Sequence, residues 1–347
     1  MAKSSKSIVG LDIDPSGVTA AQVSVNGHVM IQRAATAPLE VGVVRDGEVE
    51  DVEALAEALR ALFRANKDLD KRVRVGIANA KIVVRVIELP PIPDAKELEA
   101  AVRFQAQEHI PMPLDNAVLD FQPLDIVDSG AGPRQRVLLV AARRDMIDRV
   151  LAAVRGAGLR VEGVDLAAFA MVRALYRNGA ADERVLYLSV AGMTNLAMAQ
   201  GATCLFTRSS GGGLEGLAVE LAERRALTLE HARAWLAHVG LDRPVELIDG
   251  EEDIVAEARE VLIEGVRRIA SEVRASLDFH HVQGGGGVMS RVVLTGSAIA
   301  VPGFAEALGI ELGLPVEAGH VAGGPEDLEP GRLTVAAGLA IEEAPHS

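Results

Sequence analysis

The segment Ile8-Val9-Gly10-Leu11-Asp12-Ile13-Asp14-Pro15-Ser16-Gly17-Val18-Thr19 decides how the rest of the chain reads. Ile8, Leu11 and Ile13 bring an apolar strand to Asp14-Pro15-Ser16-Gly17, four residues of turn chemistry, and Val18 to Val25 leads back out as a second strand. Asn26-Gly27 is a further hairpin signal, with a third strand expected over His28 to Ala35. The same grammar restarts in the second half. Arg184 to Val190 and Thr194 to Gln200 read as strands around Ala191-Gly192-Met193, and Ala202 to Arg208 gives a third. Two strand–turn–strand openings, one per half, predict a duplicated α/β architecture whose lobes hold a ligand between the two turns.

Between these openings, Val52, Leu55, Leu59 and Leu62 recur at helical spacing, and Val73 to Ala78 and Val83 to Ile87 read as strands. Leu89-Pro90-Pro91-Ile92-Pro93 can continue neither a ladder nor a helix, so a subdomain boundary is expected there. Asp94, with Glu97 three residues on, caps a helix carrying Leu98, Val102, Ala106 and Ile110 on one face and stopping at Pro111-Met112-Pro113. Strands over Ala117 to Leu124 and Arg136 to Ala142 follow, then a helix from Met146 to Arg155 and a short strand, Val161 to Val164. Asp165 is expected to cap a helix from Leu166 to Tyr176. In the second half, Gly211-Gly212-Gly213 opens a helix from Leu214 to Leu227, and a shorter one, Leu229 to Val239, carries Trp235. Glu251 to His281 reads as a long amphipathic helix, Gly284 to Gly287 as a linker, and Arg291 to Leu294 as a buried strand. Pro302 to Leu312 and Leu333 to Ile341 complete the helices.

The 347 residues suffice for two or three domain-sized units, and with aromatics at 3% their cores must be packed from Ala, Val, Leu and Ile. A net charge of −14, with no face gathering Lys and Arg, argues against a nucleic-acid partner. Cys204 is the single cysteine and lies in an apolar stretch, so a buried, inert thiol and a reducing compartment are expected. The most apolar long stretch, Ala298 to Val316, is broken by two prolines, three glycines and two glutamates. A cytoplasmic protein reaching the membrane only through partners is therefore expected. His280 and His281 point about 100° apart on a helix, and His231 and His238 sit two turns apart, so neither pair reads as a metal site. No residue is assigned a catalytic role.

Two long segments carry more than pattern. Glu97-Leu98-Glu99-Ala100-Ala101-Val102-Arg103-Phe104-Gln105-Ala106-Gln107-Glu108-His109-Ile110-Pro111-Met112-Pro113-Leu114, followed by Val118-Leu119-Asp120-Phe121-Gln122, resembles the helix, Ile-Pro-x-Pro turn and strand of the PilM family of type IV pilus assembly proteins. Phe206-Thr207-Arg208 with Gly211-Gly212, the run Ser271 to Phe279, and Val293-Leu294-Thr295-Gly296 are similar to further segments of that family. The resemblance runs from Ile8 to about Leu339. It implies an α/β, two-lobed actin-like ATPase fold with an FtsA-like small subdomain inserted in the first lobe. The implied limits are 1–88 with 167–184 and 330–347 for the first lobe, and 89–166 for the insert. Residues 185–213 with 288–329 would form the second lobe, and 214–287 its helical subdomain.

The resemblance also implies ATP and Mg2+ between the two turns and a Gly-rich adenosine loop. The residues it designates are Asp12, Ser16 and Gly17 on the first turn, Gly192, Thr194 and Asn195 on the second, Gly211 and Gly212 after the third strand, and Gly296 and Ser297 in the loop, with Asp12 serving the metal. Several positions depart from the family pattern. Asp14 stands where Gly is usual, Thr19 where Lys is common, and Ser189 replaces the second acid. Arg233 and Leu236 lie about where relatives carry a Glu and a Lys that contact the ribose, and the adenosine loop is one Gly short. A like charge about 4 Å from a phosphate costs about 4 kcal/mol at an effective dielectric near 20, so efficient hydrolysis is not expected.

For partners, the resemblance implies a groove in the first lobe, beside the insert, that receives the N-terminal tail of a PilN-like membrane protein as an extended peptide. Phe104, Met112 and Leu114 are the expected contributors. The implied function is a scaffold of the type IV pilus inner-membrane platform, peripheral to the inner face of the cytoplasmic membrane. It would relay to other platform proteins and the motor ATPase, with nucleotide as a regulator and homo-oligomers as an option. A working actin-like ATPase and an FtsA-type filament former stand as alternatives. The tail Glu342-Glu343-Ala344-Pro345-His346-Ser347 is no basic amphipathic anchor, which argues against direct membrane tethering.

Overall fold

The structure, a computed structural model, describes residues 8–128, 130, 132–177, 183–282 and 287–342. Residues Met1 to Ser7, most of the Gly284 to Gly287 linker, and residues 343–347 of the tail lie outside the described residues. Strands β1 (Val9–Asp14) and β2 (Gly17–Val25) pair antiparallel until Asp14 faces Gly17, so Pro15 and Ser16 alone make the turn. β3 (Val29–Pro38) continues the meander, and a small hairpin, β4 (Val44–Arg45) and β5 (Glu48–Val49), precedes α1 (Val52–Ala65). Asp51 caps α1 by accepting from the Ala54 N–H at 2.9 Å, and Leu55, Leu59 and Leu62 are buried on its inner face. Burying each such leucine is worth about 1.5–3 kcal/mol. β6 (Arg72–Ile77) then runs parallel to β1.

The insert begins earlier than its prolines. β7 (Val83–Leu89), α2 (Ala95–His109), β8 (Ala117–Asp128) and β9 (Pro133–Arg143) form a three-stranded sheet, ordered β7-β9-β8, covered by one helix. α3 (Arg144–Gly156) and β10 (Arg160–Leu166) leave it again. β10 lies parallel to β6 in the first-lobe sheet, and Met146, Val150 and Val154 of α3 sit in the first-lobe core. The insert therefore spans about 83–143 rather than 89–166. The prolines interrupt the connection between β7 and α2 instead of marking the point where the chain leaves the lobe. Alternation explains how one sheet serves two cores. Val137, Leu139 and Ala141 face Leu98, Val102 and Ala106 of α2, while Leu138 and Ala142 turn to the first lobe.

After α4 (Ala167–Leu175), the second lobe opens with β11 (Arg184–Val190), β12 (Thr194–Gln200) and β13 (Thr203–Ser210). Helices α5 (Leu214–Arg225), α6 (Leu229–Val239) and the 31-residue α7 (Glu252–Val282) follow, then β14 (Arg291–Thr295), α8 (Phe304–Leu312) and β15 (Val316–Ala318). The first-lobe sheet has the order β10-β6-β1-β2-β3-β16, the last being β16 (Ala322–Gly323), and the second β13-β12-β11-β14-β15. Each contains an antiparallel three-strand meander with two further strands added in parallel beside its first strand, so one plan is used twice, and β16 adds a sixth strand, parallel to β3, to the first-lobe sheet. The two-residue strands and β15 are too short for periodicity to announce.

The lobes meet on α4 and α9 (Thr334–Leu339), both built from small residues. A side chain on Gly338 would meet the Ala170 carbonyl oxygen at 1.9 Å, and one on Gly10 would meet the Ala336 carbonyl at 1.8 Å. The Ala/Gly content of these helices is thus a requirement of backbone contact. Asp165 does not cap α4 as expected. Its carboxylate accepts from the adjacent Leu166 N–H at 2.7 Å and pairs with Arg173, which also donates to the Gly338 carbonyl at 3.2 Å.

Candidate functional site

Two places bring the singled-out residues together. The first is the cleft between the hairpin turns. The tight first turn aims the Ser16 and Gly17 N–H groups inward, and both donate to Asp14 Oδ1, at 2.7 and 3.1 Å. The Ser16 hydroxyl donates to the same oxygen at 2.6 Å. The second turn closes by Ala191 N–H donating to the Met193 carbonyl at 3.0 Å, which leaves the Gly192 N–H pointing out. That group donates to Asp14 Oδ2 at 3.0 Å, across the lobes.

Asp12 lies half-buried on β1, opposite Thr19. Burial pushes its carboxyl up to about 7, with the Asp14 charge adding and the Arg332 guanidinium opposing. Among the described residues, no group of three or more His, Cys, Asp or Glu side chains is placed to hold a metal ion. Beside the turns a cavity of about 160 Å³ is lined by Ser16, Ala191, Arg233, Leu236, Ser297 and Arg332, among others. Arg233 donates to Glu215 at 2.8 Å on its rim.

The remaining designated residues sit differently. Gly296 takes φ +82°, and a side chain there would strike the Val190 backbone at 2.6 Å, so it fixes β14 against the second turn. Thr194 and Asn195 turn into the protein, with Thr194 Oγ1 and Asn195 Oδ1 buried and unpartnered. Gly211 faces Asp46 of the β4–β5 hairpin, and Gly212 borders open space. The Ser16, Gly17 and Gly192 N–H groups, which the resemblance designates for a phosphate, already donate to Asp14. The sequence marked Asp14 as a departure. What it did not disclose is that the carboxylate is taken up as a ligand, or that Arg332, about 320 positions away along the chain, stands beside Asp12.

The second place is the join between the insert and the first lobe. Two adjoining cavities of about 310 Å³ each share Gln122, Leu138, Phe169 and Arg173, forming one groove. Val118 and Gln122 of β8, Leu138 and Val140 of β9, and Val164 and Leu166 of β10 line it. It runs along β8, which ends the insert's sheet and so has an edge unpaired within that sheet. The three residues expected to bind a partner do not meet there. Phe104 is 65% exposed on α2, and Leu114 packs in the insert core. Met112 lines a separate cleft of about 540 Å³ with Lys81, Arg85, Arg143, Arg208 and Phe279. The groove residues were missed because they occupy the opposite face of β8 and β9 from the one that α2 covers. A strand apolar on both faces is the signal that could have found them.

The family model for the type IV pilus assembly protein PilM matches residues 10–321. A solved PilM–PilN type IV pilus biogenesis complex contains a chain that superposes with a TM-score of 0.78 at 27% identity, covering 96% of this chain and 98% of that one. EutJ, an ethanolamine utilization protein of Carboxydothermus hydrogenoformans, superposes at TM-score 0.56 and 16% identity, over 96% of this chain and 89% of that one. MreB5 of Spiroplasma citri, bound to ADP, gives 0.56 and 11%, over 96% and 95%. The expected fold is thereby established as that of the actin-like ATPases.

Proposed function

The chain belongs to the PilM family of type IV pilus assembly proteins, and on that premise we propose that it is a scaffold of the pilus platform that grips the N-terminal tail of a PilN-like membrane protein in the groove along β8. The observation that carries this reading is the groove itself. It offers an unpaired strand edge for backbone hydrogen bonds and alternating apolar walls for side chains, which is what an extended peptide needs. Asp120 and the paired Asp165 and Arg173 give its walls polar positions that can fix register. No helix of the described residues is long and apolar enough to cross a membrane. In this reading the partner supplies the attachment, holding the scaffold at the inner face of the cytoplasmic membrane. Other platform proteins and the motor ATPase would use the remaining faces. Any ATP and Mg2+ would enter as regulators, and only by displacing Asp14. The alternatives of a working ATPase and a filament former are not favoured.

Fluorescence anisotropy with a labelled peptide of the cognate PilN-like tail tests the proposal. Val118→Glu, which places a charge in the groove, should weaken binding at least tenfold, about 1.4 kcal/mol. Met112→Glu, in the separate cleft, should leave it unchanged. The reverse pattern would move the partner site to the Met112 cleft and overturn the assignment.

A further inference from the structure

The bond between Asp14 Oδ2 and the Gly192 N–H is not explained by the turn that Asp14 belongs to. An aspartate that opens a tight turn accepts from the N–H groups two and three residues on, and Oδ1 alone does this here, with Ser16 and Gly17. Oδ2 is left free for a donor 178 residues away in sequence, on the other lobe. The second turn is shaped to that contact. A side chain on Gly192 would meet the Asp14 carboxylate at 2.5 to 2.8 Å, so glycine is the residue that lets the two turns close on one another. Backbone N–H groups converging from two turns onto one anionic group form an anion-binding nest, and here the anion is covalently part of the chain.

We propose that Asp14 is a built-in anionic ligand of the inter-lobe cleft: its carboxylate takes the place of a nucleotide phosphate, ties the two turns together without nucleotide, and excludes a triphosphate from the site. The surrounding charges agree with this role. Arg332 stands beside the first turn, where a side chain on Gly17 would strike its guanidinium, and Arg233 feels the Asp14 charge across the cavity. Both would face a phosphate in the same place, and both already face a carboxylate. Asp14 is thus a determinant of what the cleft accepts. The inference concerns the cleft alone and stands apart from the partner groove.

The test is isothermal titration of the full chain with Mg-ATP and Mg-ADP, together with small-angle scattering of the nucleotide-free protein. The wild type should bind neither nucleotide below millimolar concentration and should scatter as a closed particle. Asp14→Gly should bind Mg-ATP at least about a hundredfold more tightly than the wild type, should be more open without nucleotide, and should close when it is added. Gly192→Ala pushes a methyl group into the carboxylate from the opposite lobe and leaves the first turn intact. It should open the particle without creating nucleotide affinity, which keeps the proposal testable if Asp14→Gly does not fold. Micromolar Mg-ATP binding by the wild type, or an Asp14→Gly protein that stays closed and gains no affinity, would overturn it.

Discussion

Asp12→Asn offers a quantitative check on the cleft's electrostatics. In the folded protein the Asp12 carboxyl titrates at about 7, chiefly because it is buried, while in the unfolded chain it would titrate near the ordinary aspartate value of about 3.9. Between those values the folded state binds a proton that the unfolded state has released. Stability must therefore fall as pH rises from about 4 through 7, and level off above it. A gap of about three pH units corresponds to about 4 kcal/mol at full effect. Asp12 is only half-buried, so solvent screens part of this effect and about 2 kcal/mol is the expected size. Asparagine is neutral throughout and can still accept the hydrogen bond from the Ile13 backbone. In urea unfolding, the wild type and Asp12→Asn should differ little at pH 4, and the variant should be the more stable by about 2 kcal/mol at pH 8. A difference that does not change between pH 4 and 8 would refute the idea that burial of a charge in the cleft limits stability.

Three further outcomes are expected. Gly338→Val should lower stability by about 3 kcal/mol or more, or prevent accumulation of folded protein, because Ala170 backbone occupies the space its Cβ needs; thermal unfolding reads this out. The Cys204 thiol, pushed up to about 12 by burial, should not react with a thiol reagent at pH 8 in the native protein, and should react promptly in urea. Thr295 Oγ1 lies 2.9 Å from Thr334 Oγ1 in the buried seam between the lobes. Replacing either by Val should cost about 1–3 kcal/mol, and replacing both should cost less than the sum, measured by a double-mutant cycle.

Much of this fold was legible in the sequence because its signals are local. The turn chemistry of Asp14 to Gly17, the Asp94 cap and the spacing of Leu55, Leu59 and Leu62 are each decided within a few residues, and the strands and helices they announce are present. What escaped depends on contacts distant in sequence. β10 was assigned to the insert because only its pairing with β6, about 90 residues earlier, places it in the first lobe. Asp165 looks like a cap until Arg173 is brought beside it by the helix that follows. The cleft shows the same division. Local reading identified Asp14 as an anion in the wrong place for a phosphate. Only the closure of the second lobe over it reveals that Gly192 completes its coordination.

The central claim, that the scaffold holds its partner's tail along β8 without help from nucleotide, is tested most directly by hydrogen–deuterium exchange of the nucleotide-free protein with and without the tail peptide of the cognate PilN-like protein. The account predicts slowed exchange in β8 around Val118 to Gln122 and in the facing segment from Val164 to Arg173, with the hairpin turns at Asp14 and Gly192 unchanged. Protection confined to the cleft of Lys81, Met112 and Arg208, or protection along β8 that appears only after Mg-ATP is added, would contradict it.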